Sequence, residues 1–129
     1  METIRKIKVL AAMENYVKIE FSIPQNDPDV IYRAKKGKMH LNVYQMLSYL
    51  WEATDVMIAN HGGMKNQRIV SFNMEMLREL YPDETISVEV EAFNIKLKND
   101  RFTLLIEAEF SREGKKVAKL RGDCIADKK

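Results

Sequence analysis

Two acids three residues apart, Glu52 and Asp55, are the side chains of this sequence best placed to do chemistry. They are the only charges in NVYQMLSYLWEATDVMIAN, residues 42–60, and no Lys or Arg occurs between Met39 and Met64. Wound at about 100° per residue, that stretch puts Gln45, Ser48, Glu52, Asp55 and Ala59 on one narrow stripe. Its other directions are mostly apolar, which is the pattern of a helix buried on nearly every side. A carboxylate on a buried helix is costly unless it is paired, hydrogen-bonded or protonated. Two so close repel, so that one holds its proton more tightly or the pair recruits a cation. Such a group can serve as a general base or a nucleophile. The competing reading is a stripe that meets solvent or hydrogen-bonds to a partner helix.

The other polar candidates carry less. Asn42 is first an N-cap, with Gln45 three residues on, and second a donor to a bound carbonyl. His40 fits a structural or capping role better than catalysis. His61 suits the negative end of a helix, where Gly62 or Gly63 supplies the left-handed closing residue. Ser71 and Asn73 follow the helix, and either could face a site. The single Cys124 cannot form an internal disulfide and reads as inert core. No His/Cys spacing suggests zinc, and neither a metal nor a cofactor is expected.

The totals narrow the class. Twenty-one basic residues face 19 acidic ones, net +2, which argues against nonspecific nucleic-acid binding. The N-terminus lacks the features of a signal peptide, and no charge-free apolar run reaches membrane-spanning length. A cytoplasmic protein is expected, its 129 residues forming one domain. Eight methionines could line an adaptable apolar pocket or simply fill the core.

The elements that must hold the acids follow from the periodicity. Residues 2–14 place Ile4, Ile7, Leu10 and Ala11 at the spacing of a short helix, while the β-branched residues near Val9 leave a strand open. Val17, Ile19, Phe21 and Ile23 alternate with polar residues as a half-buried strand that Pro24 ends. Val30-Ile31-Tyr32 could add a short edge strand. After the helix, Val70, Phe72, Met74 and Met76 alternate, as do Ile86, Val88 and Val90. The phase then slips near Phe93-Asn94, as at a bulge, and Ile95 and Leu97 carry on. Turns fall at residues 81–84, 98–101 and 112–115. Phe102 to Phe110 and Ala118 to Ala126 complete two further strands. The expected fold is α+β, a curved antiparallel sheet of five to six strands wrapped around one long central helix. Such a sheet cannot enclose the helix fully, so a second copy is expected to cover the remainder.

This layout resembles the hotdog fold of thioesterases and acyl-thioester dehydratases. The resemblance runs from about Val17 to Ala126. It is carried by Leu50-Trp51-Glu52-Ala53-Thr54, Val70-Ser71-Phe72-Asn73-Met74, Leu80-Tyr81-Pro82-Asp83-Glu84-Thr85 and the closing strand Lys116-Val117-Ala118-Lys119-Leu120-Arg121-Gly122. It implies hydrolysis or binding of an acyl thioester, on coenzyme A or an acyl carrier protein. It makes Glu52 the acid that acts as base or nucleophile, and puts the carbonyl against backbone amides near Val43 and Tyr44. Lys36, with Lys35 and Lys38 beside Gly37, could meet the phosphates of coenzyme A or an acidic carrier protein; ordinary surface lysines are the plainer reading.

Glu52 lies eight residues beyond Tyr44, on the order of 12 Å along a helix. One carbonyl cannot contact both in a single copy. The expected form is therefore a homodimer with shared sites, which could pair into a homotetramer. The catalytic set expected is Glu52, Asn42 and Asp55; the substrate-binding set is His40, Val43, Tyr44, Ser48 and Lys36. A small fatty or aromatic acyl thioesterase is the leading reading. The alternative is a noncatalytic acyl-thioester-binding module. A dehydratase ranks last, since it would need a catalytic His and only His40 is near.

Overall fold

The computed structural model describes residues 6–27 and 43–129. The elements are β1 (Lys6–Met13), β2 (Tyr16–Ser22), α1 (Val43–His61), β3 (Met64–Met76), β4 (Ile86–Lys98), β5 (Arg101–Arg112) and β6 (Lys115–Lys128). They form a six-stranded sheet in the order β1-β2-β4-β5-β6-β3, with every neighbouring pair antiparallel. Among the described residues α1 is the central helix, and the sheet packs around it.

The alternating residues do what their period requires. Val17, Ile19 and Phe21 of β2 stand opposite Val90, Val88 and Ile86 of β4. Val88 and Val90 in turn face Phe110 and Ala108 of β5, and all of these are buried. Onto this face α1 packs Met46, Tyr49, Leu50, Ala53, Met57 and Ile58, each buried. The ring of Tyr49 lies flat on Phe21, centroids 3.9 Å apart and planes at 10°. The inverted amphipathicity of α1 thus means burial, with Trp51 as an exception at 39% exposed.

The N-terminal segment is a strand and not the short helix that its spacing allowed. Isolated helices of that length are marginal in water, whereas pairing along β2 satisfies the backbone of β1. Its Val9, Leu10 and Met13 remain exposed, so there was no buried helical face to form. The expected edge strand at residues 30–32 lies outside the described residues.

The ends and turns fall where they were expected. Gly62, at φ +80°, closes α1, and its amide donates to Ile58 O. Asn99 and Asp100, and then Glu113 and Gly114, take positive φ at the two hairpin turns, as tight primed turns require. Glu84 pins the turn at 81–84, accepting from the Tyr81 amide and from Arg112, both at 2.6 Å. The register slips between Phe93 and Lys96 around Asn94, at φ 50°, which is the bulge read from the phase change. Beyond it Ile95 and Leu97 are exposed.

β3 departs most from its expected alternation. It begins at Met64, and its register against β6 slips twice, between Lys65 and Arg68 and between Ile69 and Ser71. Each slip reverses which residues face the helix. Val70 falls in the second slip and is 56% exposed, not part of a buried face. Phe72 then stands opposite Gly122, where β3 approaches β6 closely. A Cβ on Gly122 would meet Ser71 O at 2.7 Å and Phe72 Cβ at 3.2 Å. Since the nearest obstacle is backbone, Gly122→Val should push β3 away and cost about 1–3 kcal/mol. Urea unfolding should record that loss as a lower midpoint.

Candidate active site on the central helix

The chain reverses at Gly62-Gly63, so β3 runs back along α1. This leaves one side of the helix partly open, and the expected stripe lies there. Gln45 is buried, Ser48 and Glu52 are half-buried, and Asp55 and Ala59 are exposed. One oxygen of Glu52, Oε2, is itself buried. Ser48 Oγ donates to Gln45 O at 3.0 Å, which turns its hydroxyl hydrogen onto the helix backbone. Thr54, within the same segment, is buried and donates to Leu50 O at 2.8 Å. Helix packing therefore places two acids, three residues apart, on the only helix side the sheet leaves accessible among the described residues.

Asp55 is held by a residue that periodicity did not single out. Gln67 Nε2 donates to Asp55 Oδ1 at 3.0 Å and lies 3.4 Å from Trp51 O. Gln67 is 4% exposed. Plain alternation along β3 would not have selected it, because the first register slip sets its facing. The available signal was Asn66, a residue type tolerant of left-handed backbone, which takes φ 53° there.

Further along β3 lies an apolar shelf. Phe72, Met74 and Met76 stand opposite Gly122, Leu120 and Ala118, on the face that carries the core. Phe72 and Met76 are nonetheless 44% and 40% exposed, on a strand that forms the edge of the sheet. Ser71 and Asn73 face the other way. Ser71 Oγ donates to Asp123 at 2.7 Å, and Asn73 pairs with Arg121 on the outer surface. Neither points at the acids. That outer surface is a solvated array of ion pairs, including Lys18–Glu89 and Lys116–Glu109, of little energetic weight.

Lys36, His40 and Asn42 lie outside the described residues. Val43 and Tyr44 begin α1, where first-turn amides have no acceptor within the helix itself. His61 sits at the far end, its Nδ1 accepting from the Gly63 amide at 3.2 Å and its ring edge-on to Phe102. That is a closing role, as expected. Among the described residues no cluster of three or more His, Cys, Asp or Glu could hold a metal ion, and no helix is long and apolar enough to cross a membrane.

Cys124 is buried, as expected of core. Burial pushes its thiol from the ordinary 9.0 up to about 11, with a smaller push from the Asp55 charge, opposed by the Arg68 amide and guanidinium. The folded protein should therefore resist a thiol reagent at neutral pH and react on unfolding. Because the folded thiol holds its proton more tightly, its contribution to stability is intact below pH 9.0 and lost as pH rises toward about 11. A reagent titration with and without urea checks the first point.

No protein-family model matches the chain, and no curated protein matches it. Solved structures do. A hypothetical thioesterase of Streptococcus pneumoniae TIGR4, crystallised with coenzyme A, superposes with a TM-score of 0.72 at 7% identity, covering 94% of this chain and 88% of that one. The phenylacetic acid degradation protein PaaI of Thermus thermophilus, as an N-to-D mutant, gives 0.64 at 16% identity, covering 94% and 92%. PaaI of E. coli gives 0.61 at 13% identity, covering 92% and 77%.

Proposed function

This chain has the hotdog fold, and on that premise we propose that it hydrolyses acyl thioesters as a homodimer. The observation that carries this reading is the pair Glu52 and Asp55 on the open side of an otherwise buried helix. Glu52 acts as the base. It takes a proton from water as the water oxygen bonds to the thioester carbon. The oxyanion that forms is met by backbone amides at the start of α1, near Val43 and Tyr44, and by Asn42. It then collapses, the C–S bond breaks, and the departing thiolate takes the proton from Glu52. The products are a carboxylic acid and a free thiol.

Helix geometry supports a second copy in this reading. Glu52 and the amide of Tyr44 are separated by on the order of 12 Å on one helix, so each site takes its acid from one subunit and its amides from the other. The edge strand β3 and its exposed Phe72 and Met76 give that copy an apolar surface to cover. The shelf favours a fatty or aromatic acyl group. Tyr44, Ser48 and His40 are the residues proposed to bind the substrate, and Lys36 the one proposed to meet the phosphates of coenzyme A or an acidic carrier protein. Coenzyme A in the Streptococcus structure supports that carrier class. The whole chain acts as one domain in the cytoplasm, without metal or cofactor.

The test is thiol release from a panel of acyl-CoAs and acyl carrier proteins, with the subunit mass measured alongside. Saturable release by a dimer, or by a pair of dimers, is expected. Tight binding without any release would make the chain a binding module. Full activity in a monomer would contradict the shared site.

A further inference from the structure

We infer that Gln67 is a positioning residue for this site, a buried amide that fixes the Asp55 carboxylate beside Glu52. The inference rests on the hydrolase reading for its kinetic consequence, while the hydrogen bond at its centre can be tested without turnover.

Gln67 is 4% exposed, so it does not touch substrate. The partners around its amide favour one orientation. Cys124 Sγ lies 3.4 Å from Oε1, while Nε2 lies 3.0 Å from Asp55 Oδ1 and 3.4 Å from Trp51 O. A thiol that keeps its proton is a donor, and the carboxylate and carbonyl are acceptors. Turning the amide over would aim its oxygen at two other oxygens and remove the acceptor from the thiol. A chain of donation thus runs from Cys124 S–H to Gln67 Oε1, and from Gln67 Nε2–H to Asp55. Hydrogen bonds linked in series strengthen one another in a buried setting.

The backbone is shaped to make this contact. The first register slip in β3 lies between Lys65 and Arg68, with Asn66 at φ 53°. It allows Gln67 inward while Arg68 pairs with Asp127 at 3.6 Å on the outer side. Left-handed backbone at a residue other than glycine costs free energy, and bulges recur where a side chain must be re-aimed. Asp55 itself is exposed, and a carboxylate in water gains little from burial or packing. What the amide secures is its position. A negative charge fixed one turn from Glu52 favours proton uptake by Glu52 during the reaction. A charge that wandered into solvent would be screened and would do so less.

The kinetic expectation is a loss in kcat with KM held. Gln67→Leu should lower kcat about tenfold and leave KM within about twofold. In an Asp55→Asn background the same change should cost nothing further, because both act through one carboxylate. An equal tenfold loss in both backgrounds would overturn the inference. Gln67→Leu could also unfold the site, so a second pair of variants is used. Cys124→Ala removes the donor to Gln67 Oε1, along with the weaker sulfur contact to Ile125 O at 3.8 Å, and should lower kcat a few-fold, and Cys124→Ser, which keeps a donor, should restore it. Failure of serine to rescue would count against the chain of donation.

The measurement independent of turnover is the Gln67 side-chain amide pair in a ¹H–¹⁵N spectrum of the full chain. Asp55→Asn, at an exposed position, should shift that pair and speed its hydrogen exchange. An unmoved pair overturns the inference whatever the enzyme does. A moved pair in a protein that releases no thiol upholds the contact and removes the hydrolase reading alone.

Discussion

Glu52→Gln is expected to lower kcat for thioester hydrolysis by roughly 10²- to 10³-fold, the usual scale for losing a positioned base. The amide is nearly the same size as the acid, so packing around this half-buried side chain is kept. It cannot take a proton from water at neutral pH. Acyl-CoA affinity should change little, because the proposed role of Glu52 is to meet the attacking water and not the acyl chain or nucleotide. The KM, or a binding isotherm where turnover is too slow, should stay within a few-fold. Steady-state thiol release measures the rate, and thermal unfolding confirms the fold. A Glu52→Gln protein that kept the wild-type rate would move the base elsewhere, with Asp55 as the remaining acid of the stripe.

Tyr49→Ala should be the most damaging single change to the fold, at about 3–5 kcal/mol. Tyr49 is 0% exposed, and its ring stacks on Phe21, which meets Phe110 edge-on at 6.5 Å. Those three aromatics tie α1 to β2 and β5 at the centre of the core. Truncation removes the ring's buried area and leaves a cavity that a sheet-bound Phe21 cannot fill. Urea unfolding followed by circular dichroism should give a lower midpoint with an unchanged slope. A loss under about 1 kcal/mol would mean that the helix is held chiefly by other contacts. Because α1 also carries Glu52 and Asp55, the variant should lose activity at temperatures where the wild type is still folded.

The buried helix was legible because burial on nearly every side leaves a period of its own. Apolar residues in nearly every direction and a lone polar stripe can be counted from residues 42–60 without coordinates. The hairpins were legible at Asn99-Asp100 and Glu113-Gly114, since few residue types accept the backbone those turns need. The bulge at Asn94 was legible because the apolar phase visibly shifts. β3 was not. Its slips lie among Asn66, Gln67, Arg68 and Val70, where polar and apolar residues give no clean phase to break. Alternation thus turns Val70 inward, where the fold exposes it, and does not select Gln67, which the fold buries. β1 failed for a different reason. Its residues fit a helix or a strand equally, and the decision belongs to β2, a partner that local spacing does not describe. Ser71 and Asn73 were ambiguous until the second slip fixed which way each points. Trp51 read as one more buried apolar residue, although it stands on the side of the helix that the sheet leaves uncovered.

The central proposal is that one thioester carbonyl sits between two copies of this chain, against an acid from one and helix amides from the other. A crystal structure with a non-hydrolysable acyl-CoA thioether would locate that carbon directly. It is expected at contact distance from the Glu52 carboxylate of one copy, with the oxygen facing the amides of Val43 and Tyr44 in the second. Finding the acyl group bound within a single copy, or on a surface remote from α1, would contradict it.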